Sequence, residues 1–198
     1  KPNLDWQDDL GRTTLMLAIV GFGGLPYQLA PTKRWDIAEL LVEAGANVNV
    51  TTKLGATALK LVVEEDSPRS LAMVQALLAA HADVNGGCVC VERARMPQLM
   101  PLLTYGGAQT HTALGLAVYR GSVEVVQALL DANAQRAANP SVAVNAKQFG
   151  GNTPLTLASE KGRSDVVRLL LAAKADLGAV NDDGKTALML ALENDHPD

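Results

Sequence analysis

Residues 151–158 read GNTPLTLA, and four near copies of that string stand elsewhere in the chain: GRTTLMLA at 11–18, GATALKLV at 55–62, THTALGLA at 110–117 and GKTALMLA at 184–191. Self-similarity of this kind marks a repeat architecture and has to be read before any single element. Four of the five copies place a Gly two residues before a Thr, which suits a turn with a positive backbone angle followed by a helix that the Thr caps. The Leu two places after the Thr and a small residue three further on share one helical face. Leu15 with Ala18, Leu59 with Val62, Leu114 with Ala117, Leu155 with Ala158 and Leu188 with Ala191 form this inner stripe.

Most copies are followed by a second apolar segment and an exit: IAELLVEAGANVN at 37–49, MVQALLAAHADVN at 73–85, VEVVQALLDANA at 123–134 and VVRLLLAAKADLG at 166–178. Leucine pairs such as Leu40 with Leu41 and Leu129 with Leu130 read as the second helix's share of the core. Neither helix buries its apolar face alone, so neighbouring repeats must stack to complete one continuous core.

The whole pattern resembles the ankyrin repeat: a projecting turn, a helix opening with TPLH, a second helix with a leucine pair, and a GADVN-like exit. The resemblance covers nearly the whole chain and implies an all-α solenoid of stacked helix-turn-helix units with projecting fingers. It also implies a protein-binding module with no catalytic chemistry and no cofactor. The chain departs from the pattern in two ways. The motif keeps its Pro only at Pro154, and its His is replaced by Met16, Lys60, Gly115, Thr156 and Met189. That His ties neighbouring turns in the family, so its loss implies looser fingers or other contacts in its place.

The motif threonines Thr13, Thr57, Thr112, Thr153 and Thr186 stand 44, 55, 41 and 33 residues apart, against a unit of about 33. Three repeats therefore carry insertions. Approximate repeats are 8–51, 52–106, 107–147, 148–180 and an incomplete 181–198, within a single array over 1–198. The insertions fall at about 22–35, between two helices as a surface loop; at 86–106, lengthening a finger; and at 135–143, delaying an exit near Pro140. The first residues match the tail of a repeat, Asn3 to Asp5 aligning with Asn47 to Asn49, and the fifth copy stops after its first helix. A piece of a longer array is the expectation, with a compact natural cap as the alternative.

Composition narrows the function classes. Apolar residues make up 48% of the chain but aromatics only 4%, so Ala, Leu and Val build the core, as closely stacked helices require. The formal net charge of -4 offers no basic footprint for nucleic acid or anionic lipid, and the apolar runs are too short to span a bilayer. Neither nucleic acid nor membrane is an expected partner. Cys88 and Cys90 are no disulfide framework, which favours an intracellular setting, cytoplasmic or nuclear; a secreted effector acting inside a host cell remains the alternative. The pair lacks the second tight pair that a zinc site with His81 and His111 would need, so free thiols and no metal are expected. GFGG at 21–24 lacks the Lys and Ser or Thr of a phosphate loop. The acid pairs Asp8 with Asp9 and Asp182 with Asp183 sit at turn tips, where solvated Asp is ordinary.

Ankyrin proteins bind mostly through finger tips and the concave first-helix face. Carried over residue by residue, that face implies Asp9, Leu10 and Arg12, then Lys53, Leu54, Glu64 and Glu65. The third and fourth copies offer Gln109, His111, Tyr119 and Arg120, then Phe149, Asn152, Glu160 and Lys161, and the fifth offers Asp182, Asp183, Lys185, Glu193 and Asn194. Tyr119, Arg120 and Phe149 stand out, since aromatic and Arg side chains dominate binding hot spots. The finger after Asn85 is apolar for a loop, with Val89, Met96, Leu99, Met100, Leu103 and Tyr105; it either grips a partner or packs on its own array. The expected function is a monomeric protein-interaction scaffold whose partner is another protein or peptide. The alternatives are a regulatory or substrate-recruiting domain of a larger enzyme or effector, and a small-molecule or nucleotide site.

Overall fold

In the computed structural model, which describes residues 3–20, 31–65, 67–86, 112–136 and 144–194, each motif Thr begins a helix. The side-chain oxygens of Thr13, Thr57, Thr112, Thr153 and Thr186 accept from the backbone N–H three residues on, at 3.1 to 3.4 Å, each satisfying a donor that the first helical turn leaves over. The chain divides into two compact units, Lys1–Val89 and Cys90–Asp198.

The first unit contains α1 (Thr14–Val20), α2 (Pro31–Glu43), α3 (Ala58–Glu65) and α4 (Ser70–Ala79). Each hairpin closes on itself, α1 on α2 and α3 on α4, and the hairpins stack like on like, α1 on α3 and α2 on α4. The second unit contains α5 (Ala113–Arg120), α6 (Val123–Arg136), a 3₁₀ turn (Phe149–Gly151), α7 (Pro154–Glu160), α8 (Ser164–Ala172) and α9 (Ala187–Glu193). Here α5 pairs with α6 and α7 with α8, while α5, α7 and α9 form one row and α6 and α8 another. The stripe residues Leu15, Leu59, Leu114 and Leu155 are buried along with Ala18, Val62, Ala117 and Ala158. Each such Leu contributes about 1.5–3 kcal/mol relative to exposure.

The fingers close by a common device at their base. Asp8 Oδ1 accepts from the N–H groups of Leu10 and Arg12 at 3.0 and 2.8 Å. Thr52 Oγ1 accepts from Leu54 and Ala56 at 3.3 and 3.0 Å, and Asn181 Oδ1 from Asp183 and Lys185 at 3.1 and 2.9 Å. Short acceptor side chains do this because they reach their own backbone two residues on. The motif Gly then turns the chain: Gly11 has φ 76°, and a Cβ there would lie 2.8 Å from the Lys53 backbone nitrogen of the next finger.

Contacts other than the family's His tie neighbouring repeats. The Lys53 N–H donates to Leu10 O at 3.0 Å and the Asp182 N–H to Gly150 O at 2.8 Å, joining finger to finger. At the exits, Asp5, Asn49 and Asn145 each accept through Oδ1 from the next exit's backbone, at Asn47, Asp83 and Asp176, over 2.8, 2.7 and 2.8 Å. Asn49 Nδ2 also donates to His81 O at 3.1 Å. These ties join neighbouring repeats in a chain whose motif lacks the His.

Several expectations need correction. Residues 31–35, assigned to a surface loop, are the first turns of α2, and Trp35 is buried in the core; Pro31 at the first helical position is compatible with a helix start. Leu40 is 63% exposed, because α2 meets α1 and α4 on other faces, and Trp35 with Ala38 does the work assigned to the leucine pair. Leu188 is 70% exposed: α9 packs on α7, and Leu188 lies on its other side. The third repeat's excess is partly helical, since α6 continues to Arg136 through Asn133, at the register where Gly45, His81 and Lys174 break their helices with positive φ. The remaining insertion residues, 22–30, 87–106 and 137–143, lie outside the described residues.

Candidate protein-binding surface

The C-terminal ends of the first helices in the second unit bring three expected site residues together. Tyr119 occupies the last turn of α5, which Gly121 terminates in the left-handed conformation with φ 79°. The Arg163 guanidinium packs where a Cβ on Gly121 would stand, so the turn is closed by the neighbouring repeat. Tyr119 is 53% exposed, and Lys161 Nζ stands 5.6 Å from its ring centroid. Glu160 Oε1 lies 3.0 Å from the same ammonium. A cation held against a half-exposed ring by its neighbouring carboxylate forms a pre-ordered amphipathic patch of the kind that interfaces favour. Arg120 follows Tyr119 in the same turn.

The fifth finger adds a second charged pair. Lys185 Nζ donates to Glu193 Oε2 at 2.6 Å, bridging the finger and α9. That hydrogen bond raises the Lys185 pKa above the ordinary lysine value against the opposing effect of desolvation, with the Glu193 and Asp183 charges adding to it. Asn152 Oδ1 accepts from the Thr156 hydroxyl at 3.2 Å, fixing the entry to α7, while Asp182 and Asp183 are exposed at the finger tip.

In the first unit, two expected contact residues are committed elsewhere. Arg12 Nε donates to Asp8 Oδ2 at 2.7 Å within its own finger. Burial pushes the Asp8 carboxyl up, but the Arg12 and Leu10 N–H donors and the Arg12 guanidinium outweigh it and hold the pKa below the ordinary carboxylate value. Glu65 pairs with Arg34 at 3.1 Å, joining α3 to α2. Lys53 is exposed and Leu54 half-buried. Gln109 and His111, like Cys88, Cys90 and the apolar finger residues Val89 to Tyr105, lie outside the described residues, as does the Phe149 side chain.

Sequence reasoning missed the residues that hold the surface in place: Thr52 and Asn181 at the finger bases, with Asp8, expected as a solvated tip residue but 17% exposed and hydrogen-bonded at the base, and Asp5, Asn49 and Asn145 at the exits. A signal existed for the first set, since each stands five residues before its motif Thr and carries a short acceptor. Among the described residues no group of three or more His, Cys, Asp or Glu could hold a metal, and no helix is long and apolar enough to cross a membrane.

The family model for ankyrin repeats, three copies to a match, fits residues 27–139, 88–181 and 141–198. The chain belongs to the ankyrin-repeat family. Ankyrin repeats are protein–protein interaction modules, non-enzymatic in themselves. The array is similar to the B-cell lymphoma 3 protein homolog of Mus musculus, 28% identical over 95% of this chain and 41% of that protein. It is also similar to the nuclear factor NF-kappa-B p105 subunit of Gallus gallus, 28% identical over 87% of this chain and 17% of that protein. A third likeness is to alpha-latroinsectotoxin-Lt1a of Latrodectus tredecimguttatus, 27% identical over 67% of this chain and 8% of the toxin. The ankyrin array thus spans less than half the length of each of these relatives.

Proposed function

We propose that this ankyrin array recruits a protein partner through the first-helix ends and fingers of its second unit, with Tyr119 and Lys161 as the energetic centre. The observation that carries the reading is the half-exposed Tyr119 ring with Lys161 Nζ 5.6 Å from its centroid. This side chain is the kind that binding hot spots use, held in place before the partner arrives, so less ordering entropy opposes association. Glu160 holds the Lys161 ammonium, and the Lys185–Glu193 pair adds charged groups on the fifth repeat. Arg12 and Glu65, engaged in their own unit, serve the scaffold.

A second reading, compatible with the first, makes the array the regulatory or recruiting part of a larger protein. It is supported by the 41% and 17% of the two vertebrate relatives that the chain spans, and by the name of one as a subunit of a nuclear factor. A cytoplasmic or nuclear location goes with this reading.

The test is affinity capture from cell extract with the chain beside a Tyr119→Ala, Lys161→Ala variant, after circular dichroism shows equal helicity. A protein retained by the first and lost by the second supports the reading. Equal capture by both removes Tyr119 and Lys161 from the interface.

A further inference from the structure

The turns that follow α5 and α7 are built alike and differ in one side chain. Gly121 and Gly162 both take positive φ, 79° and 63°. In the first turn Gly121 N–H donates to Val118 O and Ser122 N–H to Ala117 O, at 3.1 and 3.2 Å; in the second Gly162 N–H donates to Ser159 O and Arg163 N–H to Ala158 O, at 3.2 and 2.9 Å. Each closes a Schellman turn, so the backbone at position 163 is fixed by its own helix. The counterpart of Arg163 in the third repeat is the short Ser122. Arg163 instead reaches back across the repeat boundary, its guanidinium carbon 2.7 Å from where a Cβ on Gly121 would stand. Lys161 makes a parallel crossing to the Tyr119 ring, so two cations of one turn rest on the end of α5.

Their counter-charges differ. Lys161 has the Glu160 carboxylate 3.0 Å away, and Arg120 has a partner of its own. In the first unit Arg12, Arg34 and Arg69 each meet a carboxylate, on Asp8, Glu65 and Asp36. Arg163 is exposed, and among the described residues no carboxylate pairs with it. The acids of the same region, Glu124 and Asp165, stand in the first turns of α6 and α8, where a carboxylate answers the helix N-terminus. A guanidinium is a planar fork that matches a carboxylate with two parallel hydrogen bonds, and one already packed against backbone loses less freedom when it binds. We propose that the segment recruited at Tyr119 is an acidic peptide, one Asp or Glu of which pairs with Arg163 while a large apolar side chain beside it packs on the Tyr119 ring. This rests on the Tyr119 and Lys161 reading of the surface and adds the chemistry of what binds there. Like charges elsewhere on a chain of formal net charge -4 disfavour other landing places for the same segment.

A displayed library of random peptides, selected on the 198-residue chain, tests it. Selected peptides are synthesised and their affinities measured by fluorescence polarisation against the wild type, Arg163→Ala, and Tyr119→Ala with Lys161→Ala, all shown by circular dichroism to be equally helical. The expected peptides bind the Tyr119 and Lys161 double variant about thirtyfold more weakly and carry an acid next to a large apolar residue. Arg163→Ala, or Asp→Asn or Glu→Gln in the peptide, weakens binding about tenfold, and the two changes together weaken it no further, which marks a direct pair. Peptides that need Tyr119 but carry no acid, or that are indifferent to Arg163→Ala, overturn the acidic partner and leave the Tyr119 site standing. Acidic peptides that need Arg163 but not Tyr119 and Lys161 remove the site on which the proposal rests. A selection that yields no peptide sensitive to either variant overturns both.

Discussion

The carboxamide of Gln148 occupies the space in which a side chain on Gly115 would stand. Gly115 holds the place of the family's motif His in the third repeat, and Gln148 sits at the base of the fourth finger, five residues before Thr153. Asp8, Thr52 and Asn181 at that register turn inward to cap their own fingers, whereas the longer Gln148 is buried over α5. A vacated position in one repeat and a lengthened side chain in the next therefore fit as a pair.

Gly115→Ala measures this pairing. Ala gains about 1 kcal/mol over Gly inside a helix, but here its methyl group meets the buried carboxamide, and overpacking costs about 1–3 kcal/mol. The expected outcome is a loss of about 1 kcal/mol in the wild-type background. In a Gln148→Ala background the same substitution is expected to stabilise by up to about 1 kcal/mol, since only the helical preference remains. Urea denaturation of the four proteins gives the coupling; a substitution effect equal in both backgrounds would mean that Gln148 does not limit the site.

Acid should weaken the first finger through Asp8. Its folded pKa is lowered, so its contribution is fully present above the unfolded value of about 3.9 and is lost as pH falls through the folded value. Asp8→Asn keeps the Oδ1 acceptor but not the charge facing Arg12. The variant is expected to be about 1 kcal/mol less stable at neutral pH, at the low end for a charge-assisted hydrogen bond because the pair is partly exposed. That gap narrows as pH falls below the unfolded value. Thermal melts of both proteins across pH 3 to 7 check it, and a gap independent of pH would exclude the carboxylate as its source.

How much of this was legible follows from the periods involved. The motif threonines, the buried leucine stripe and the stacked helices were readable, because a helical cap and a 3.6-residue face leave their mark within a few residues. Leu40 and Leu188 misled because periodicity states which face is apolar, and only the packing states whether a neighbour covers it. The cation over Tyr119 was beyond reach for a related reason: Lys161 is 42 positions away, and the register between repeats brings them together. Asn49 reads as an exit residue, but the hydrogen bonds that it and Asn145 accept cross to the next repeat, which no local pattern specifies.

Two helix ends leave stability in reserve. His81 and Lys174 have φ of 65° and 62°, where the first repeat has Gly45. In all three the residue's own N–H and the next N–H bond back to carbonyls three and five residues earlier, closing a Schellman turn. The left-handed conformation costs a non-Gly residue about 1–2 kcal/mol, partly offset by the greater freedom that Gly loses on folding. His81→Gly and Lys174→Gly are each expected to raise stability by about 0.5–1 kcal/mol, while the control Ala76→Gly inside α4 lowers it by about 1 kcal/mol. Equal losses in all three variants would contradict the strain.

The exit residues differ in charge for a reason that can be measured. Asp5 accepts from the N–H of the neutral Asn47, whereas Asn49 and Asn145 accept from Asp83 and Asp176. A carboxylate in either of those two places would face another carboxylate residue. Asn145→Asp keeps its acceptor and is expected to cost about 0.5 kcal/mol through repulsion that salt screens. Asn49→Asp adds the loss of the Nδ2 bond to His81 O, for a total of about 1–1.5 kcal/mol. Denaturation at low salt and in 0.5 M sodium chloride, the latter a Debye length of roughly 4–5 Å, should therefore nearly restore the Asn145 variant and only partly restore the Asn49 variant. If salt restored both alike, the Asn49 donor would contribute nothing, and the tie between these exits would rest on its acceptor alone.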